Sequence, residues 1–391
     1  QWEQKIDYTP WGSAQFHSTV VFNNNIWVLG GYNGNSRTNA IWSSSDGTNW
    51  SQATTSNIWT PRIGHSAVVF NNKIWVLGGY DATGYLNDVW SSSDGTNWSC
   101  VLTNAPWSKR YSFGALVYDG KIWVLGGKGV SGWLNDVWSS SDGINWFQAT
   151  SSASWQPREG LASVVFDNKM WVIGGYQGPV NSASDVWYST NGSTWTSATT
   201  SANWAPRYQH TTVVFDNRIW MLGGIVRDNN GNWLNATNEV WYSWDGIYWS
   251  PFDNATWQPR YGHTSFVFGN KIWVLGGSYS DIWAGSVPST PSGALRLTVG
   301  TSSRESGTTI PQPGYYYDTS GKVFHLKAIP SYGYEFVNWT GDVANPNSEE
   351  TTVTLNSNKV VVANFVKKNT YNLTLGISPS NSGSIIPLPG N

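Results

Sequence analysis

The sequence predicts an all-β protein whose larger part is a ring of similar four-stranded sheets, and three observations predict it. The first is a repeat. The stretch Pro61 to Trp98, PRIGHSAVVFNNKIWVLGGYDATGYLNDVWSSSDGTNW, has five near-copies, and their Gly-Gly pairs begin at Gly30, Gly78, Gly126, Gly174, Gly223 and Gly276, in steps of 48, 48, 48, 49 and 53 residues. A unit of that length cannot bury its apolar faces alone and must stack on its neighbours, as in a propeller or a solenoid. The second is the pattern inside the unit: four short β-rich runs separated by turn residues. The third is the fit of the ends. The last unit stops after its third strand near Trp283, and the chain begins with a lone fourth strand around Trp2. The N-terminal strand should therefore complete the final unit, closing the ring and hiding edges that a linear array would expose.

The strands, a to d, can be placed in order. SAVVF and KIWVLGG are a and b, separated by Asn71 and Asn72, residues that tolerate the positive φ of a tight hairpin turn. Elsewhere the same turn is Asp119-Gly120, Asp167-Asn168, Asp216-Asn217 or Gly269-Asn270. DVWSSS is strand c; a turn with Asp94 and Gly95 leads to strand d, NWS. A longer d-to-a connection then carries another Trp and, in most copies, a Pro-Arg pair. Tryptophan repeats in all four registers, as at Trp75, Trp90, Trp98 and Trp107, and Trp2 supplies the strand-d residue that the last unit lacks.

Composition narrows the function. Only 12% of the 391 residues are charged, about half the usual share, and Ser, Thr, Asn and Gly fill the surface, which suits an extracellular setting. A net charge of -2 gives no basic footprint for nucleic acid. One cysteine, Cys100, allows no intrachain disulfide, which fits a prokaryotic better than a eukaryotic secreted protein. No apolar run of about 18 residues is present, so no transmembrane segment is expected. A start at Gln1 suits removal of a secretory signal, so a secreted or cell-surface location is expected.

The paired glycines after strand b, the strand-c Trp and the spacing resemble the Kelch repeat over residues 1 to about 285. That resemblance implies a six-bladed β-propeller with strand a lining the central channel and strand d outermost. Beyond it, AGSVPSTPSG reads as a short linker, and LRLTVG, VFHLKAI, YEFVNW, TTVTL and KVVVANF as strands of a small β-rich module. With GYEFVNWTGDV and VVANF, this block resembles the divergent internalin B repeat of prokaryotic surface proteins. LTLGISPSNSGSIIPLPG from Leu373 repeats LTVGTSSRESGTTIPQPG from Leu297. The expected domains are thus 1–287 (propeller), 288–294 (linker), 295–368 (module) and 369–391 (start of a second, truncated copy).

Topology selects the face to search. The tight a-to-b and c-to-d turns lie on one side of the disc, and the longer b-to-c loops and d-to-a connections on the other, where binding residues concentrate. There the d-to-a connection delivers Arg62, Arg110, Arg158, Arg207 and Arg260 near the channel mouth, with Ala14 in the first blade. Kelch propellers that bind ligands commonly use arginine and polar residues in this region. A residue repeated in five blades equally suits architecture, its guanidinium satisfying loop carbonyls. The next position varies, as a recognition surface would, and makes Tyr111, Glu159, Tyr208 and Tyr261 candidates. The b-to-c loops add Tyr85, Trp133 and Trp233, aromatics outside the repeated registers that could stack on a sugar or anchor a protein.

Catalysis and metal binding are not expected. His17, His65, His210 and His263 share one repeated position that blades 3 and 4 fill with Phe113 and Leu161, which marks a packing site. The aspartates fall in turns or at the start of strand c, leaving Glu159 alone near the mouth, whereas a glycosidase needs two opposed carboxyls. The copper radical oxidases of the Kelch class need a cysteine joined to a tyrosine, and Cys100 lies outside the second blade; no cofactor is expected. The expectation is a surface-displayed binding protein whose head recognises a carbohydrate or a surface protein. The alternatives are a self-associating structural subunit of a surface layer or filament, and a sialic-acid-type sugar epimerase using the arginine-ringed funnel.

Overall fold

The computed structural model describes residues 1–53, 58–178, 181–227, 233–252, 255–286, 293–303 and 305–368. Most of the expected linker and the whole of the expected second module copy lie outside the described residues. Every regular element described is a strand.

Blade 2 shows how the repeat folds. Ser66–Phe70, Lys73–Asp81, Gly84–Ser92 and Ser99–Leu102 form an antiparallel meander in sequence order. At its first turn Asn71 and Asn72 take φ of 47° and 55°, the double left-handed geometry whose twist matches a two-residue hairpin. The ring closes as expected: Trp2–Ile6 pairs with Ile282–Gly285, setting Trp2 opposite Gly285 and Gln4 opposite Trp283. Blade 5 departs from the pattern. Its longer b-to-c loop forms a separate ribbon in which Ile225–Arg227 pairs with both Trp233–Ala236 and Arg207–Tyr208.

Two contacts stack the blades. The first glycine of each Gly-Gly pair has positive φ and receives the side chain at the start of the next blade's strand a. A Cβ on Gly174 would lie 2.8 Å from His210 Cε1, one on Gly78 3.3 Å from Phe113 Cε1, and one on Gly126 3.1 Å from Leu161 Cδ2. The His, Phe or Leu position is thus an inter-blade knob. The second contact is the strand-b Trp, whose ring covers the c-to-d turn of the following blade; a Cβ on Gly143 would lie 2.2 Å from the Trp75 ring. Each such ring buries roughly 150–250 Å², about 4–6 kcal/mol of gross transfer free energy.

The module is a small sandwich. Leu295–Thr301 lies between Gly314–Asp318 and, in parallel, Lys359–Lys367, with Tyr334–Thr340 beyond; Gly307–Ile310, Lys322–Pro330 and Glu350–Leu355 form the second sheet. Leu297, Val299, Leu326, Trp339, Val353 and Val361 fill the space between them. It docks on the outer edge of blade 5 through Tyr315, whose N–H donates to Ser250 Oγ at 2.7 Å, whose hydroxyl accepts from the Trp244 N–H at 3.1 Å and whose ring lies 5.6 Å from that of Tyr242. Arg296 lies over the Trp244 ring at 5.1 Å. Blade 4 shares the tyrosine at the Tyr242 position, as Tyr188, but blade 2 has Ser93 and Asn97 where blade 5 has Trp244 and Tyr248, so two departures peculiar to blade 5 help build this contact.

Candidate functional site at the channel mouth

The five arginines expected at the mouth are not presented to it, which corrects their reading as ligand contacts and favours the architectural one, each guanidinium bonding a glycine carbonyl. Their side chains are 0–1% exposed, and each forms an ion pair with the acidic residue that starts strand c of its own blade. Arg110 shows the geometry: Nη1 and Nη2 reach Asp136 Oδ1 and Oδ2, both at 2.8 Å, Nη1 also donates to the Gly126 carbonyl at 2.9 Å, and Nε donates to the Ser108 carbonyl at 2.9 Å. Arg62 with Asp88, Arg158 with Asp185 and Arg260 with Asp281 repeat this bidentate arrangement, and Arg207 pairs with Glu239. The strand-c Trp completes the unit by donating its indole N–H to the same carboxylate, as Trp138 does to Asp136 at 2.8 Å. A charge-assisted, two-pronged pair of this kind fixes orientation as well as energy. The sugar epimerase alternative, which rested on an arginine-ringed funnel, loses its supporting feature.

What surrounds the channel is a circle of backbone hydrogen bonds. Phe16, Gly64, Ser112, Gly160, Gln209 and Gly262 each donate an N–H to the carbonyl of the corresponding residue one blade back, at 2.7–3.1 Å, until the circle closes. All six have φ between 53° and 61°. Glycine occupies the three even blades, and larger neighbours cover it: Tyr111 lies on Gly64, Tyr208 on Gly160 and Phe16 on Gly262. Gln209 Nε2 also reaches Ser112 Oγ at 2.6 Å, across the intervening Gly160. Inside the circle, strand a lines a cavity of about 250 Å³ with hydroxyls that include Ser66, Ser163, Thr211 and Ser265.

On this base stands an aromatic wall. Tyr80, Tyr85 and Tyr111 meet at centroid distances of 5.1, 5.6 and 6.1 Å; Trp133 lies 5.7 Å from Tyr176, which lies 5.2 Å from Tyr208; Tyr261 lies 6.2 Å from Phe16. All of these rings are half-buried, rigid but reachable. The structure thus gathers Tyr85, Trp133, Tyr111, Tyr208 and Tyr261 at one mouth and adds Phe16, Tyr80 and Tyr176. Tyr80 and Tyr176 end strand b and sit opposite Ile63 and Glu159; they differ between blades as the selected positions do, the signal by which they could have been found. The side chain of Trp233 lies outside the described residues.

Glu159 sits within the wall at 6% exposure, held rather than offered. Its Oε1 accepts from Trp133 Nε1 at 3.1 Å, with Lys128 Nζ at 3.8 Å, and the Tyr111 hydroxyl lies close to the same carboxylate. Burial first, and then the nearby Glu159 carboxylate, push the Tyr111 hydroxyl well above the usual tyrosine range. Tyr208 is raised by burial, against the opposing pull of the Arg227 guanidinium, with Tyr176, Glu159 and Tyr261 adding to the rise. Both hydroxyls are therefore neutral donors and acceptors at ordinary pH. Among the described residues no group of three His, Cys, Asp or Glu side chains is placed to hold a metal ion. The larger cavity, about 460 Å³ between Trp249, Tyr248 and the module's Gly300 and Val362, is made by docking and lies away from the mouth.

A ring of six four-stranded blades, closed by its own N-terminus and carrying a β-sandwich module on one edge, defines the class: a β-propeller joined to a repeat module. The KLHDC2/KLHL20/DRC7 Kelch-repeats domain matches residues 16–224, more than half of the chain, and the chain belongs to that family. The divergent InlB B-repeat domain matches residues 297–369. The solved structure of YjhT aligns with a TM-score of 0.59 at 15% sequence identity, covering 71% of this chain and 95% of YjhT, a likeness of fold alone. No curated protein matches the sequence. Kelch and InlB-type repeats together give the composition of a protein-binding, surface-type protein, InlB-type repeats being typical of bacterial surface proteins. No helix among the described residues is long and apolar enough to cross a membrane.

Proposed function

We propose that the propeller is the recognition head of a secreted or cell-surface protein and that it binds its partner at the aromatic mouth of the long-loop face. The observation that carries this is the half-buried wall of Tyr80, Tyr85, Tyr111, Trp133, Tyr176, Tyr208 and Tyr261, drawn from blades 2 to 6 onto the closed circle of backbone bonds. Tyrosine and tryptophan bring large amphipathic area with few torsions to freeze, and their faces and hydroxyls suit a carbohydrate first and a protein loop second. The one carboxylate is already bonded to Trp133, and the cations of the wall, Arg37, Lys128 and Arg227, lie over the rings of Tyr80, Trp133 and Tyr176.

The full chain is expected to bind at least one class of glycan on an array, and the double change Tyr208→Ala/Tyr261→Ala is expected to weaken that binding at least tenfold, about 1.4 kcal/mol. Retention unaffected by the double change would move recognition to Tyr85 and Trp133. Absence of binding to every glycan would remove the carbohydrate reading and leave the protein one. A structural subunit remains the second reading, supported by Ile144 and Phe147 on the side of blade 3, 52% and 67% exposed where blade 2 has Thr96 and Ser99.

A further inference from the structure

Blade 1 lacks the buried ion pair, and it lacks both halves at once. Ala14 stands where the other blades have arginine, and Ala40, two residues before Trp42, stands where they have aspartate or glutamate. Losing one partner alone would strand a buried charge; losing both leaves a neutral hole. The structure contains that hole, a cavity of about 250 Å³ lined by Trp11, Ala14, Gly30, Thr38, Ala40 and Trp42 among others. The exposed Gln52 also borders it, which gives it a way out to solvent.

Three groups that meet the ion pair elsewhere do without it here. Trp90, Trp138, Trp187, Trp241 and Trp283 donate their indole N–H to the strand-c carboxylate at 2.7–3.1 Å, whereas Trp42 Nε1 is buried and has no hydrogen-bond partner. Gly78, Gly126, Gly174, Gly223 and Gly276 offer their carbonyls to the arginine, and Ala14 has no donor to offer that of Gly30. The arginine also lies over the Trp of the d-to-a connection, Arg110 at 5.7 Å from the Trp107 ring and Arg158 at 5.8 Å from Trp155. Those rings are 1% exposed, whereas Trp11, with no guanidinium above it, is half-buried and lies against the rings of Trp50 and Trp42 at 4.9 and 5.3 Å, which leaves only part of its surface to the cavity. Trp59, Trp107, Trp155 and Trp257 also bury an indole N–H without a hydrogen bond; what sets Trp42 apart is that every other strand-c Trp has a carboxylate in this position.

We propose that the blade-1 cavity is a second binding site and that it takes a neutral monosaccharide residue. The argument is one of complementarity. No charged side chain lines the cavity, so an ionic ligand would lose its hydration and find no counter-charge. The best-matched occupant accepts a hydrogen bond from Trp42 Nε1, can donate one towards the Gly30 carbonyl, and packs an apolar face against the part of Trp11 that Trp42 and Trp50 leave uncovered. In blade 3 those two backbone and indole groups are bridged by a whole carboxylate plus one guanidinium nitrogen, so the acceptor and the donor must stand several bonds apart on one compact body. A sugar ring meets all three conditions, with hydroxyls spaced round its edge that both donate and accept and a C–H face that stacks on indole. The volume, a little below the ~300–1,000 Å³ of drug-sized sites, suits one such residue.

This site is separate from the mouth, and one set of experiments distinguishes the two. Saturation-transfer NMR on the full chain, with methyl glycosides of neutral hexoses and with a uronic acid as probes, should show transfer to a hexose and none to the uronate. The double change Ala14→Arg/Ala40→Asp, which installs the pair found in the other five blades, should abolish the transfer, and Trp42→Phe should weaken it at least tenfold. Both changes are read in a Tyr208→Ala/Tyr261→Ala background, which silences the mouth and should leave transfer from the cavity in place. No transfer to any hexose, meaning that only water occupies the cavity, would overturn the proposal, as would transfer that survives Ala14→Arg/Ala40→Asp or, should that variant not fold, transfer that survives Trp42→Phe. Loss of array binding on changing the mouth tyrosines bears on the mouth alone.

Discussion

Lowering the pH from 6.5 to 5 is expected to remove about 2 kcal/mol of stability for each of the buried histidines at the inter-blade position. His17, His65 and His210 are 4–5% exposed, and burial holds each well down, to about 3 from an ordinary 6.5, with the Arg62 and Arg207 guanidiniums adding to the effect at His65 and His210. His263 is displaced in the same direction, by burial and then by Arg260. These folded values lie below the unfolded one, so the unfolded chain takes up protons that the folded chain refuses. The stability is fully present above about pH 6.5 and is lost as the pH falls towards 3. The sequence supplies the control, since blades 3 and 4 manage with Phe113 and Leu161. Urea unfolding midpoints followed against pH should fall less steeply for His65→Phe or His210→Leu than for the native chain; slopes that coincide would contradict the assignment.

Arg110→Ala is expected to cost about 3–5 kcal/mol, because it strands the Asp136 carboxylate in a blade interior and leaves the Gly126 carbonyl without its donor. Arg110 is completely buried and makes four hydrogen bonds, two of them to Asp136. Adding Asp136→Ala should recover part of the loss rather than deepen it, since the double variant reproduces the Ala14 and Ala40 of blade 1. A double-mutant cycle read by chemical denaturation should therefore show a coupling on the order of 1–3 kcal/mol. Additive losses would mean that the two side chains contribute independently and that the ion pair is not the unit of the blade.

The frame was legible because its determinants are local and repeated. Paired glycines, hairpin Asn and Asp, and tryptophan in four registers each act within a few residues or on the adjacent blade, so alignment of the six copies exposed them. For the arginines the architectural reading holds, down to the carbonyls they satisfy, but the ion pair was not legible because its acidic partner is 26 residues away in blades 2 and 3. Each position looked like a separate repeated feature, an arginine near the mouth and an aspartate at the start of strand c, and only the fold joins them. The joint replacement by Ala14 and Ala40 was the sequence signal that could have paired them. Glu159 was found by its departure from the repeat, but burial turns it into an anchor for Trp133 rather than a free carboxylate. Trp244 and Tyr248 depart from the repeat as clearly as Tyr85 does, and their reason is docking of the module. A departure from a repeat therefore marks an interface without saying whether its partner lies inside or outside the chain.

The most direct test of recognition at the long-loop mouth is hydroxyl-radical footprinting of the full chain with a glycan or protein that it retains. Protection is expected at Tyr80, Tyr85, Tyr111, Trp133, Tyr176, Tyr208 and Tyr261, with the short-turn face around Asn97 and Asn145 and the side of blade 3 at Ile144 and Phe147 unchanged. Protection confined to the short turns or to the side of the disc, with the mouth rings oxidised as in the free chain, would contradict it.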